Sequence, residues 1–127
     1  MFDVSTDTRS VPSNVEILFT DRRGGFSPPP YDSLNLATHV GDNSRNVQKN
    51  RELLNSKLPN TPVWLNQVHG CEVFDADNWD GCQIPTADAA VTTKANQVLA
   101  IMTADCLPIL LTSNCGSVIG AVHAGWR

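Results

Sequence analysis

TADCLPILL at residues 103–111, AVHAGWR at residues 121–127 and the earlier turn QVHG at residues 67–70 decide how this chain is read. Between them they hold Cys106, His123 and His69. A thiolate and two imidazoles suit a soft-to-borderline divalent metal bound by three protein ligands, with one position left open. His69 and Cys106 are 37 residues apart, and Cys106 and His123 are 17 apart. Metal fingers take their ligands from much shorter loops. This spacing needs a fold that gathers the ends of separate strands, as catalytic sites do.

Each residue also has a plainer reading. Cysteine is among the most buried residue types, so Cys106 beside Leu107, Ile109, Leu110 and Leu111 reads, taken alone, as core. His123 lies in an apolar run and fits a satisfied core histidine. His69 precedes Gly70 and fits an ordinary turn. Spacing alone favours these readings over a metal.

Outward from these stretches, the chain divides into short elements. Residues 98–102 form a continuous apolar run, read as a strand buried on both faces. Residues 108–112 and 117–122 read as further strands, as do 63–68, which delivers His69, and 72–75. Residues 87–93 are ambiguous, and 75–85 are acidic and turn-rich. On the N-terminal side, Asp42-Asn43-Ser44 offers N-cap candidates. Behind them Val47, Arg51, Leu54 and Leu58 share one helical face. This predicts a helix over 44–57, ended by Pro59. Residues 15–19 read as a strand and 1–14 as a loose lead-in. Between them and the helix, two arginines in a Gly-Gly turn and Pro28-Pro29-Pro30 predict a long irregular connection to about residue 38, anchored by Leu34 and Leu36.

Composition narrows the function classes. The 127 residues supply one domain with a real core, and 41% hydrophobic with 17% charged residues is ordinary for a globular chain. A net charge of −4, with no basic run longer than Arg22-Arg23, argues against a nucleic-acid binder. No apolar stretch approaches the ~20 residues of a membrane span, and no secretion signal precedes the first strand. The four cysteines are therefore expected as reduced thiols in the cytoplasm. Cys71, Cys82 and Cys115 are assigned no role. A final strand followed at once by Gly125-Trp126-Arg127 leaves its sheet uncovered, which predicts a piece of a longer domain.

Ordered blocks now resemble a known family. Phe19-Thr20, Arg22, Gly24-Gly25 and Ser27 form the first, and Tyr31, Ser33 to Leu36 and His39 to Asp42 the second. Val47, Asn50-Arg51 and Leu54 continue it. Gln67 to Gly70, Ala87-Asp88-Ala89, Thr103 to Pro108 and His123 to Arg127 complete the set. Together they resemble the YfiH-like family, also called the laccase-domain or polyphenol oxidoreductase family. The resemblance implies an α/β (α+β) fold of layered mixed β-sheets with flanking helices, incomplete here at its C-terminus, because members are about twice as long. Residues 1–127 would be one truncated domain. It implies His69, Cys106 and His123 as zinc ligands, and purine nucleoside phosphorylase with accompanying adenosine deaminase activity.

The residues supply further candidates for that chemistry. Arg22, then Arg127, suit phosphate, since a guanidinium grips it bidentately. Asp105 suits orienting a ligand histidine or moving protons. Asn35 suits a ribose hydroxyl or base edge, and His39 is a loop residue that lines a pocket. Arg22 is equally a surface arginine, Asp105 a turn residue and Asn35 a loop brace. Three other functions stay open. A copper polyphenol oxidase needs more histidines than the three present here, His39, His69 and His123. A non-catalytic metal-binding or redox module is the second. A hydrolase using Cys106 as a bare nucleophile is the third.

Overall fold

The computed structural model describes residues 11–125 and the backbone of a strand at Phe2–Asp3 (β1). The chain packs as two compact units. The first is built on Glu16–Leu58 together with β1, the second on residues 59–125 together with Val11–Val15.

In the first unit, β1 pairs antiparallel with β2 (Phe19–Thr20), Phe2 opposite Thr20. The strand expected over 15–19 is thus confined to its last residue. Val15 instead closes a turn on Pro12 and belongs to the second unit. Of the lead-in expected over 1–14, Phe2–Asp3 form a strand instead, and residues 1 and 4–10 lie outside the described residues. The helix forms where expected: α1 spans Ser44–Asn55, with the Asn43 side chain accepting from the Arg45 N–H at 2.9 Å. It stops two residues short of the expected end, where the Ser56 N–H bonds back to Glu52.

Val47 and Leu54 are buried on the expected face, and between them Asn50 is fully buried. Its amide is the hub of the irregular segment before the helix. Asn50 accepts from the Phe26 N–H and donates to Ser27 Oγ and to the carbonyls of Ser33 and Asn35. A buried amide whose oxygen and NH2 both have partners fixes a loop that has no ladder of its own. Gly25 is required there, because a Cβ would lie 2.2 Å from the Ser33 carbonyl oxygen.

The second unit holds a four-stranded mixed sheet in the order β3-β4-β6-β5. Its strands are β3 (Val73–Asp75), β4 (Ala89–Thr92), β5 (Leu107–Thr112) and β6 (Ile119–Ala124), and a single 3₁₀ turn, Ala76–Asn78, follows β3. The β3–β4 pair is parallel and the other two are antiparallel. This is a mixed α/β architecture in which α1 is the one α-helix among the described residues. The core gathers Val63, Leu65, Ala76, Ala87 and Ala90, with Phe74, Trp79, Leu99 and Ile101 packed on it.

Three expectations change. Residues 63–68 and 98–102 are not regular strands: they meet through one bridge, Val63 to Leu99, and the second run is only half-buried. The Gln67 side chain replaces the missing ladder, its amide both donating to and accepting from the Met102 backbone at 2.7 and 2.8 Å. β6 runs two residues further than expected and takes in His123. The apolar run after Cys106 is not core either. β5 is an edge strand, with Leu107 62% and Leu111 58% exposed.

Candidate metal centre

Strand register assembles the site. On β6, His123 lies opposite Pro108 of β5, so Cys106 enters the sheet just beside the histidine strand. On its other side, the His123 N–H bonds to the Asp88 carbonyl at 2.7 Å, extending the β4–β6 ladder by one residue. The turn carrying His69 is then drawn in by the Asp88 side chain. Its carboxylate accepts the N–H groups of Val68, His69 and Gly70 at 2.9–3.0 Å. His69 has φ 60°, a left-handed backbone uncommon outside glycine, and successive N–H groups turned this way make a concave anion nest.

The outcome is one cluster. A ligand atom from each of His69, Cys106 and His123 lies within 4.8 Å of the others. The Cys106 Sγ is 3.7 Å from His69 Nε2, and the two imidazoles meet edge to face with centroids 4.8 Å apart. Tetrahedral zinc with Zn–N near 2.0–2.1 Å and Zn–S near 2.3 Å sets N and S roughly 3.6 Å apart. The donor set and spacing fit such an ion with small side-chain adjustments. His123 is buried, Cys106 intermediate and His69 exposed, so the cluster faces solvent on one side, where a fourth ligand has access.

Asp88 stands in one of the motif blocks, Ala87-Asp88-Ala89, but motif reading gave it no role. It is 2% exposed, and its Oδ2 lies 2.7 Å from His123 Nδ1. Burial pushes its carboxyl up, but the hydrogen bonds from His123, Val68, Gly70 and His69 outweigh that and hold it at about 2. A carboxylate can only accept, so the Nδ1 of His123 is the donor in this hydrogen bond. The available signal was an aspartate flanked by Ala87, Ala89 and Ala90: a charge in a small-residue core segment must be paired.

The remaining candidates fall as follows. Asp105 sits against Cys106, whose thiol donates to its Oδ1 at 3.8 Å. The Cys106 thiol is pushed up by partial burial and then by the Asp105 charge and hydrogen bond. Arg22 is exposed in the first unit, donating from Nε to the Asp32 carbonyl and from a terminal nitrogen to its carboxylate. Asn35 braces its own loop against Ala37 and Asp42. His39 is exposed. Arg127 lies outside the described residues. All four cysteines are unpaired.

A mixed sheet that carries one imidazole on β6 and gathers to it a thiol just before β5 and a second imidazole from a turn defines a candidate metalloprotein. The family described as multi-copper polyphenol oxidoreductase laccase matches residues 16–127, and the chain belongs to that family. It is 47% identical over 120 residues to a Haemophilus influenzae protein named purine nucleoside phosphorylase, covering 93% of this chain and 48% of the relative. It is 45% identical over 118 residues to purine nucleoside phosphorylase YfiH of Escherichia coli K12, covering 91% and 48%. Among solved structures, the Neisseria meningitidis protein NMB0706 superimposes with a TM-score of 0.89 at 43% identity, over 99% of this chain and 51% of that one. YlmD from Geobacillus stearothermophilus gives 0.74 at 34% identity, over 84% and 43%. The chain thus spans about half the length of these relatives.

Proposed function

We propose that the chain supplies the metal centre of a zinc-dependent purine nucleoside phosphorylase with accompanying adenosine deaminase activity, acting in the cytoplasm. The observation that carries this is the convergence of His69, Cys106 and His123, in a chain whose relatives bear the name purine nucleoside phosphorylase. We read residues 1–127 as part of one domain. The unpaired thiols support the cytoplasm, and among the described residues no helix is long and apolar enough to cross a membrane.

In this reading His69, Cys106 and His123 hold the zinc. A bound zinc supplies Lewis acidity and brings the pKa of water to near ~7, which suits attack at purine C6 and polarisation of a departing base. Asp88 keeps the His123 ring oriented. Asp105, beside Cys106, takes or returns the proton moved in either reaction. Arg22 and Arg127 are assigned to phosphate and Asn35 to a ribose hydroxyl or base edge. Arg22 would keep Asp32 on two of its nitrogens and offer the third.

Copper at the same donors is the alternative, supported by the family's description. An oxidase of the multicopper kind needs many histidines, and three are present in this sequence. The test is product analysis with adenosine, with and without phosphate, using the Haemophilus influenzae relative as a full-length control. Adenine and ribose 1-phosphate formed only with phosphate support phosphorolysis, and inosine supports deamination. Oxidation of a phenol with several coppers bound, and neither purine product, would sink the proposal.

A further inference from the structure

Asp88 holds both histidines of the cluster through one carboxylate. Its Oδ2 accepts from His123 Nδ1 at 2.7 Å and from the His69 N–H at 2.9 Å. Its Oδ1 accepts from the N–H groups of Val68 and Gly70 at 3.0 and 2.9 Å. Four donors meet two oxygens, and the side chain is 3% exposed. The backbone of Asp88 is also fixed, its N–H on the Glu72 carbonyl and its carbonyl on the His123 N–H.

We infer that Asp88 is a positioning residue that sets the tautomer of His123 and the placement of His69 together, so that one buried carboxylate prepares both imidazoles for the ion. The inference rests on the reading of His69, Cys106 and His123 as a metal centre. On the His123 side, donation from Nδ1–H to the carboxylate leaves the Nε2 lone pair for the cluster. On the His69 side, the nest of three N–H groups is closed by the Asp88 carboxylate, and that closure holds the left-handed turn from which the ring projects. Losing the carboxylate would disturb two ligands at once, and Cys106 would be left as the undisturbed third.

Asp88→Asn tests this, because an amide offers one acceptor and one donor group where four donors converge. With its NH2 toward His123 it forces the proton to Nε2, and with its oxygen there it turns NH2 against the Val68 and Gly70 N–H groups. We expect zinc affinity, measured by competition with a chromophoric chelator, to fall on the order of 10- to 100-fold. Nitrogen-15 NMR of the imidazoles in the metal-free wild-type chain should show His123 protonated at Nδ1. That measurement needs no variant and decides the matter even if Asp88→Asn fails to fold. A wild-type His123 protonated at Nε2, or a folded Asp88→Asn with unchanged tautomer and zinc affinity, overturns the inference. A wild-type chain that takes up no zinc defeats the metal-centre reading, while the tautomer still tests Asp88.

Discussion

The Sγ of Cys106 lies 3.7 Å from Nε2 of His69, across 37 residues of chain. If these atoms share an ion, removing either should cost more than disturbing an outer hydrogen bond. Cys106→Ala and His69→Ala should each weaken zinc binding by on the order of 100-fold or more. Equilibrium dialysis with metal analysis checks this. Full zinc content in Cys106→Ala would remove the assigned role.

A ligand that binds only the folded chain stabilises it. Zinc at about 100 times its dissociation constant should add about 2.7 kcal/mol to unfolding, and a chelator should take it away. Thermal melts with zinc and with chelator make the comparison. Identical curves would mean that the three side chains do not bind zinc as a folded site.

Asn50 offers a prediction separate from the metal. Its fully buried amide satisfies Phe26, Ser27, Ser33 and Asn35, so Asn50→Ala should destabilise the chain by about 3 kcal/mol. Gly25→Ala, with its Cβ driven at the Ser33 carbonyl, should displace the same loop. Urea unfolding measures both, and zinc affinity should stay near wild type.

Asp77 carries an acid dependence. Hydrogen bonds from the Thr92 and Thr93 hydroxyls and the Thr93 N–H hold its carboxyl at about 2, below the usual 3.8. A depressed folded pKa gives stability that is present above the unfolded value and lost as pH falls through the folded one. The contribution should therefore fade between about pH 3.8 and about pH 2. Asp77→Asn should flatten the urea midpoint over that window, and a slope unchanged by the substitution would refute the assignment.

Local signals were legible wherever the physics is local. The N-cap at Asn43 and the apolar spacing of Val47 and Leu54 place α1, because a cap and a 3.6-residue period act within a few turns. The apolar runs at 63–68 and 98–102 misled, because hydrophobicity does not reveal whether a ladder partner exists. The burial of Asn50 was equally hidden, since its partners lie 15 to 24 residues away.

The sequence by itself determined the helix, the family and the three residues nominated for the metal, because ligand chemistry and motif order are written residue by residue. Only the tertiary structure decided that the thiol and the two imidazoles meet, and that Asp88 holds the ring of His123 and the backbone N–H of His69. Strand register made that choice: β4 and β5 flank β6, bringing Asp88 and Cys106 to His123 from opposite sides. Distances between remote residues follow from pairing, which no local pattern encodes.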